Sequence, residues 1–123
     1  MYEQDWIMRQ IQMLVRFIAK LIYGKDTVEY QVTEAAEQGD MSETDLLFYE
    51  IERLLADSKI CEAEDLLFDR LNISKKYLEL AVDFYQKINE FSDDDLENAN
   101  FSREEIQSGL KEIMKIFGLS DLV

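Results

Sequence analysis

The sequence predicts an all-α fold of five or six helices, packed as helix hairpins in a single domain over residues 1–123. Two observations predict it. No proline occurs in 123 residues and there are only four glycines, so little interrupts a helix. Apolar residues also recur at helical spacing between short turns, several of which open on a serine or aspartate able to cap a helix N-terminus. An apolar content of 47% supplies enough side chains for a core of this size.

The elements follow in order. Asp5 caps a first helix over residues 5–23, and Gly24 stops it. A weaker helix is expected over 27–38, with Val28, Val32 and Ala35 on one side and Gly39 after it. Ser42, with Asp45 three residues on, reads as a short capping box for a helix whose stripe is Leu47, Ile51, Leu54 and Leu55 and which ends near Asp57. A turn at Ser58–Lys59 leads to a helix with Ile60, Ala63, Leu67 and Leu71 on its face, closed by Asn72. Ser74 caps the next, in which Tyr77, Leu78, Ala81, Phe84, Tyr85, Ile88 and Phe91 recur as packing positions. Ser102 and Glu105 form a full capping box for the last, with Ile106, Leu110, Ile113 and Phe117 inward and Gly118 at its end.

Charge is unevenly placed. The formal total is −14, yet residues 1–25 carry a net +2 and residues 26–123 a net −16. A phosphate backbone would be repelled by most of this surface, so no nucleic-acid partner is expected. The chain has no histidine and one cysteine, which removes the commonest general base and metal ligand, an internal disulfide and a cysteine-based zinc site. Cys61 lies in an amphipathic helix, where a buried, inert thiol is expected. Neither a glycine-rich phosphate loop nor a nucleophile elbow is present. The acidic run at 93–104 fails as an EF-hand, because Asn98, Asn100 and Phe101 replace its turn glycine, central apolar residue and ninth ligand. It reads as a solvated acidic turn. No catalytic residue, cofactor or metal is expected, and the chain is not read as an enzyme.

The opening helix stands apart. Thirteen of the nineteen residues 5–23 are apolar, and Asp5, Arg9, Gln12, Arg16 and Lys20 share a polar stripe only about 80° wide. An ordinary surface helix needs an apolar face of ~100°, so this one asks for cover on nearly three sides. It is almost long enough to span a bilayer, but Arg9, Arg16 and Lys20 inside it would each cost ~2.5–3.5 kcal/mol near the centre. It is not a signal peptide either, since Glu3 and Asp5 occupy the region that should be basic. Three uses remain: central core helix, interface, or in-plane membrane helix. Gln10 falls among Leu14, Phe17 and Leu21, as an edge amide satisfied locally or a buried one that fixes helix pairing.

The segments DWIMRQIQM, GKD at 24–26 and NFSREEIQSGL at 100–110 resemble an uncharacterised family of short all-helical proteins of Gram-positive bacteria, a domain of unknown function. The resemblance implies an all-α fold and a cytoplasmic home, and no activity. Helix 43–57, its tight turn and CEAEDLLF are more loosely similar to tetratricopeptide-like helix pairs, with Ala63 at the close contact. Against that pattern, Glu50, Ile51 and Arg70 occupy positions where leucine, glycine and a small residue are usual.

The expectation is a non-catalytic protein–protein interaction or self-association module built around its opening helix. Its candidate partner-binding residues are Trp6, Ile7, Arg9, Gln10, Met13, Leu14, Arg16, Phe17, Lys20, Leu21 and Ile22. The alternative is a peripheral membrane protein using the same helix.

Overall fold

Helix α1 spans Tyr2–Ile18 and runs straight into a π-helical segment, Ala19–Tyr23. The computed structural model describes residues 2–120 of the chain. Gly24 ends the π segment with φ 66°, a left-handed conformation that costs glycine little, and its N–H bonds back to the carbonyl of Lys20.

The helix expected over 27–38 is mostly absent. Residues 28–33 are not helical, and only Glu34–Glu37 forms a single turn, α2, capped by the Thr33 hydroxyl. Two causes act together. Thr27, Val28, Val32 and Thr33 are β-branched and lose side-chain freedom in a helix. The backbone groups also find partners elsewhere: Val28 N–H donates to Gln86 Oε1 (3.2 Å) and Gln31 N–H to Glu79 Oε1 (3.0 Å). Lys76 Nζ donates to the Gln31 carbonyl (2.7 Å). A segment whose polar groups are satisfied by a neighbouring helix has no need of its own helical ladder.

Helix α3 spans Glu43–Ala56, with the Ser42–Asp45 capping box fully formed. Ser58, at φ 60°, turns the chain into α4, Ile60–Arg70, and the two pack as a hairpin with Ala63 wholly buried. Helix α5 is Lys75–Asn89 behind Ser74. The acidic run is not a turn but a short helix, α6, Asp93–Asn98, capped by Ser92. Three aspartates in its first turn complement the positive end of the helix dipole. Helix α7, Arg103–Ile116, starts at the Ser102–Glu105 capping box. The count among the described residues is therefore seven helices rather than five or six, the addition being α6.

The centre of the molecule is α5, not the opening helix. Leu78, Leu80, Ala81, Val82, Asp83, Phe84, Tyr85, Ile88 and Asn89 are all buried in it, and it packs against α1, α3 and α7. Helix α1 lies to one side, over α5 and α7. A glycine inside α7 shows how close the central packing is. A Cβ on Gly109 would overlap the Tyr85 hydroxyl, so the phenol occupies the space of the missing side chain on its way to Glu64 Oε2 (2.6 Å). Mid-helix glycine costs about 1 kcal/mol relative to alanine. Here it admits a large, fully buried ring.

Candidate functional site

Most groups that carry chemistry are taken up by their neighbours. Asp45, wholly buried, accepts from the Tyr30 hydroxyl (2.7 Å), the Thr33 hydroxyl (2.6 Å), and the N–H groups of Thr33 and Ser42 (both 3.3 Å). Burial by itself would raise its pKa. The hydrogen bonds from Thr33, Tyr30 and Ser42 prevail and hold the carboxyl well below its usual range. Burial, joined by the hydrogen bond and charge of Asp45, pushes Tyr30 up to about 12. This cluster ties the non-helical strand of residues to the start of α3.

Arg103, almost fully buried, bonds the Asn89 carbonyl (2.7 Å), the Phe91 carbonyl (2.8 Å) and Asp93 Oδ1 (3.0 Å). The Asn89 amide in turn reaches the Met8 carbonyl (3.2 Å), so one network joins α1, α5, α6 and α7. Asp93, the first residue of the rejected EF-hand register, is thus engaged by an arginine. Lys87 bridges Glu52 (2.7 Å) and Asp83 (2.9 Å) over the Phe48 ring. Burial raises the Glu64 carboxyl although the Tyr85 hydroxyl donates to it. Cys61 is exposed, not buried as expected from its helix: it lies off the face that Ile60, Ala63 and Leu67 press into the core. Its thiol pKa is raised by desolvation and then by the carboxylates of Glu105, Glu64 and Asp65, which disfavours the reactive thiolate.

The opening helix differs from all of these. Ile7, Ile11, Val15 and Ile18 recur every three or four residues and fill the seam over α5 and α7. Trp6, Met13 and Phe17 form a second apolar line on the same helix, roughly 140° further round. Nothing covers most of it: Trp6 is 61% exposed and Met13 69%, while Phe17 is half-buried. Gln10 and Leu14 lie between the two lines, on the α7 side. Gln10 accepts from the Gln107 side chain (2.8 Å), so this amide pairs helices within the chain.

Leu14 borders an open groove whose far wall is α7, with Lys111, Met114 and Lys115. In the π segment, Leu21 is 47% exposed, and with Ile22 it borders a second groove reaching Ile73 and Phe117. Arg9 and Arg16 are exposed along the opposite edge of the apolar line, and Lys20 pairs with Asp26 (3.1 Å) where both are open to solvent. Arg9, Arg16, Lys111 and Lys115 form no ion pair among the described residues.

The eleven candidate residues therefore divide. Ile7 belongs to the core, and Gln10 and Ile22 to the seams with neighbouring elements. Trp6, Met13, Leu14, Phe17 and Leu21 form the surface, edged by Arg9, Arg16 and Lys20. Sequence reasoning missed Lys111, Lys115 and the 67% exposed Ile73, which no local pattern links to α1. It also passed over a smaller apolar site at Leu46 and Tyr49 on α3, both about half exposed, whose signal is that they fall off the Leu47–Ile51 stripe. No helix among the described residues is long and apolar enough to cross a membrane.

A family model, DUF6483, described as a family of unknown function, matches residues 1–118. No curated protein and no solved structure matches the chain.

Proposed function

The chain belongs to that family of unknown function, so a reading of its role rests on its own surface, and we propose that it is a non-catalytic interaction module. It docks a protein partner, or a second copy of itself, on the outer line of α1. One observation carries the reading: Trp6, Met13 and Leu21 are large, apolar and open to solvent along one continuous helical run, α1 and its π segment, while the chain fills its core with other residues of that run. Covering a large apolar side chain stabilises by roughly 1.5–3 kcal/mol, so three left open in a row are a standing drive to association. In this reading the protein works in the cytoplasm, and the basic edge orients the partner more than it adds affinity.

The test is photocrosslinking in intact cells from a reactive amino acid placed at position 13, with position 62 on α4 as reference. Adducts of defined mass from position 13 alone support the reading, and equal yields from both positions reject it. Light scattering on the purified chain then separates self-association from a heterologous partner. A second reading, a peripheral membrane protein, is favoured by exposed Trp6 beside Arg9 on an amphipathic helix. Failure of the protein to co-sediment with anionic vesicles removes it.

A further inference from the structure

Building on the docking reading, we infer that the occupant of the α1 surface is an acidic, apolar-faced helix of a different protein, not a second copy of this chain. The inference comes from the charges on the two sides of the apolar line. Arg9 and Arg16 of α1 flank it on one side. Lys111 and Lys115 of α7 flank it on the other, across the groove that begins at Leu14 and also holds Glu112. With Asp5 counted beside Arg9 and Arg16, and Glu112 beside Lys111 and Lys115, each edge keeps a net +1 in a chain of net charge −14.

That arrangement selects against self-pairing. A two-fold axis across α1 brings each edge against its own copy or against the opposite edge, according to the helix direction. Either way, edges of net positive charge face each other, and like charge juxtaposed at an interface opposes it. A head-to-tail contact between the basic surface and an acidic region of another copy does not close on itself unless the rotation makes a ring. A separate partner carrying carboxylates on both flanks of an apolar face meets neither obstacle. The shape favours a helix, because a line of side chains beside an interhelical groove is what an amphipathic helix lies along. From Trp6 to Leu21 the line is roughly 22 Å long at 1.5 Å per residue, enough for about four turns. An anionic bilayer would also find the basic edges, but residues 26–123, at net −16, would be repelled by it.

Trp6 is the only tryptophan, so its emission reports on this surface directly. The experiment titrates the whole chain with two synthetic alanine-rich helices that share a leucine face, one edged with Glu and one with Lys. The expected result is a saturable blue shift with the Glu-edged helix, weakened by salt and at least roughly tenfold weaker with the Lys-edged helix. The double variant Lys111→Glu/Lys115→Glu, two exposed positions, should lose that preference while keeping its fold by circular dichroism. Equal binding of both helices would overturn the acidic partner and leave the docking reading standing. A mass that doubles with concentration and does not respond to the Glu-edged helix would do the same, in favour of a second copy. No shift with either helix, together with a shift on phosphatidylserine vesicles, would overturn both readings.

Discussion

Helices α5 and α1 are both rich in apolar residues, but they meet opposite fates. In α5 the buried set runs nearly all the way round, from Leu80 and Val82 to Phe84, Tyr85 and Ile88, with α1, α3 and α7 packed about it. Even two of its polar residues are drawn inward and satisfied, Asp83 by Lys87 and Asn89 by Met8 and Arg103. In α1 one apolar line is covered and another is not. Apolar content therefore does not say which helix becomes the centre. Position among neighbours does, and α5 has neighbours on more sides than α1.

The largest effect expected on this contrast comes from emptying its central side. Phe84→Ala in α5 should cost about 3–5 kcal/mol in urea unfolding, because a fully buried ring leaves a cavity that its neighbours cannot close. Ile11→Ala, on the covered line of α1, should cost about 2–4 kcal/mol, which would show that the inner face of α1 is true core. A loss below 1 kcal/mol would mean that α1 is held only loosely to α5 and α7.

Asp45→Asn should cost about 2 kcal/mol at neutral pH, since the Tyr30 and Thr33 hydroxyls and two backbone N–H groups lose a charged acceptor. The sign of its pH dependence follows from a folded pKa held below the unfolded value. Its contribution is complete above an unfolded pKa of about 3.9 and declines as the pH falls below it. The gap between wild type and variant should accordingly narrow in acid, and a constant gap would refute the charged state of Asp45.

Gly109→Ala should destabilise by about 1–2 kcal/mol despite the better helix propensity of alanine, because the new methyl group meets the Tyr85 ring. In a Tyr85→Leu background the same change should become neutral or favourable, and the double-mutant cycle measures that coupling. The smallest effect is expected from Met13→Glu, within about 0.5 kcal/mol, because the side chain is mostly in water. A large loss there would show that the outer line of α1 is packed, and the contrast with α5 would disappear.

Local chemistry made much of the architecture readable. The Ser42, Ser74 and Ser102 caps predict the starts of α3, α5 and α7, and each places a hydroxyl on the N–H three residues on. Val28 and Val32 misled for a physical reason. Their spacing suits a helix, but the side chains that satisfy their segment come from α5, about fifty residues away in sequence. Asp45 was legible as a cap residue, whereas its second role, receiving Tyr30 and Thr33, needs the chain to fold back. Trp6, Met13, Phe17 and Leu21 could be named as candidates from the sequence, but not separated from Ile7.

The sequence by itself determined the all-α class, most helix starts and stops, and the concentration of apolar and basic residues in the opening helix. These depend on propensity, capping and periodicity, which act over a few residues. Tertiary structure decided that α5 is the centre and that residues 28–33 stay out of a helix. It also left the outer line of α1 bare and set Lys111 and Lys115 beside it. Those outcomes depend on which helices pack against which, and on how many apolar faces the available neighbours can cover.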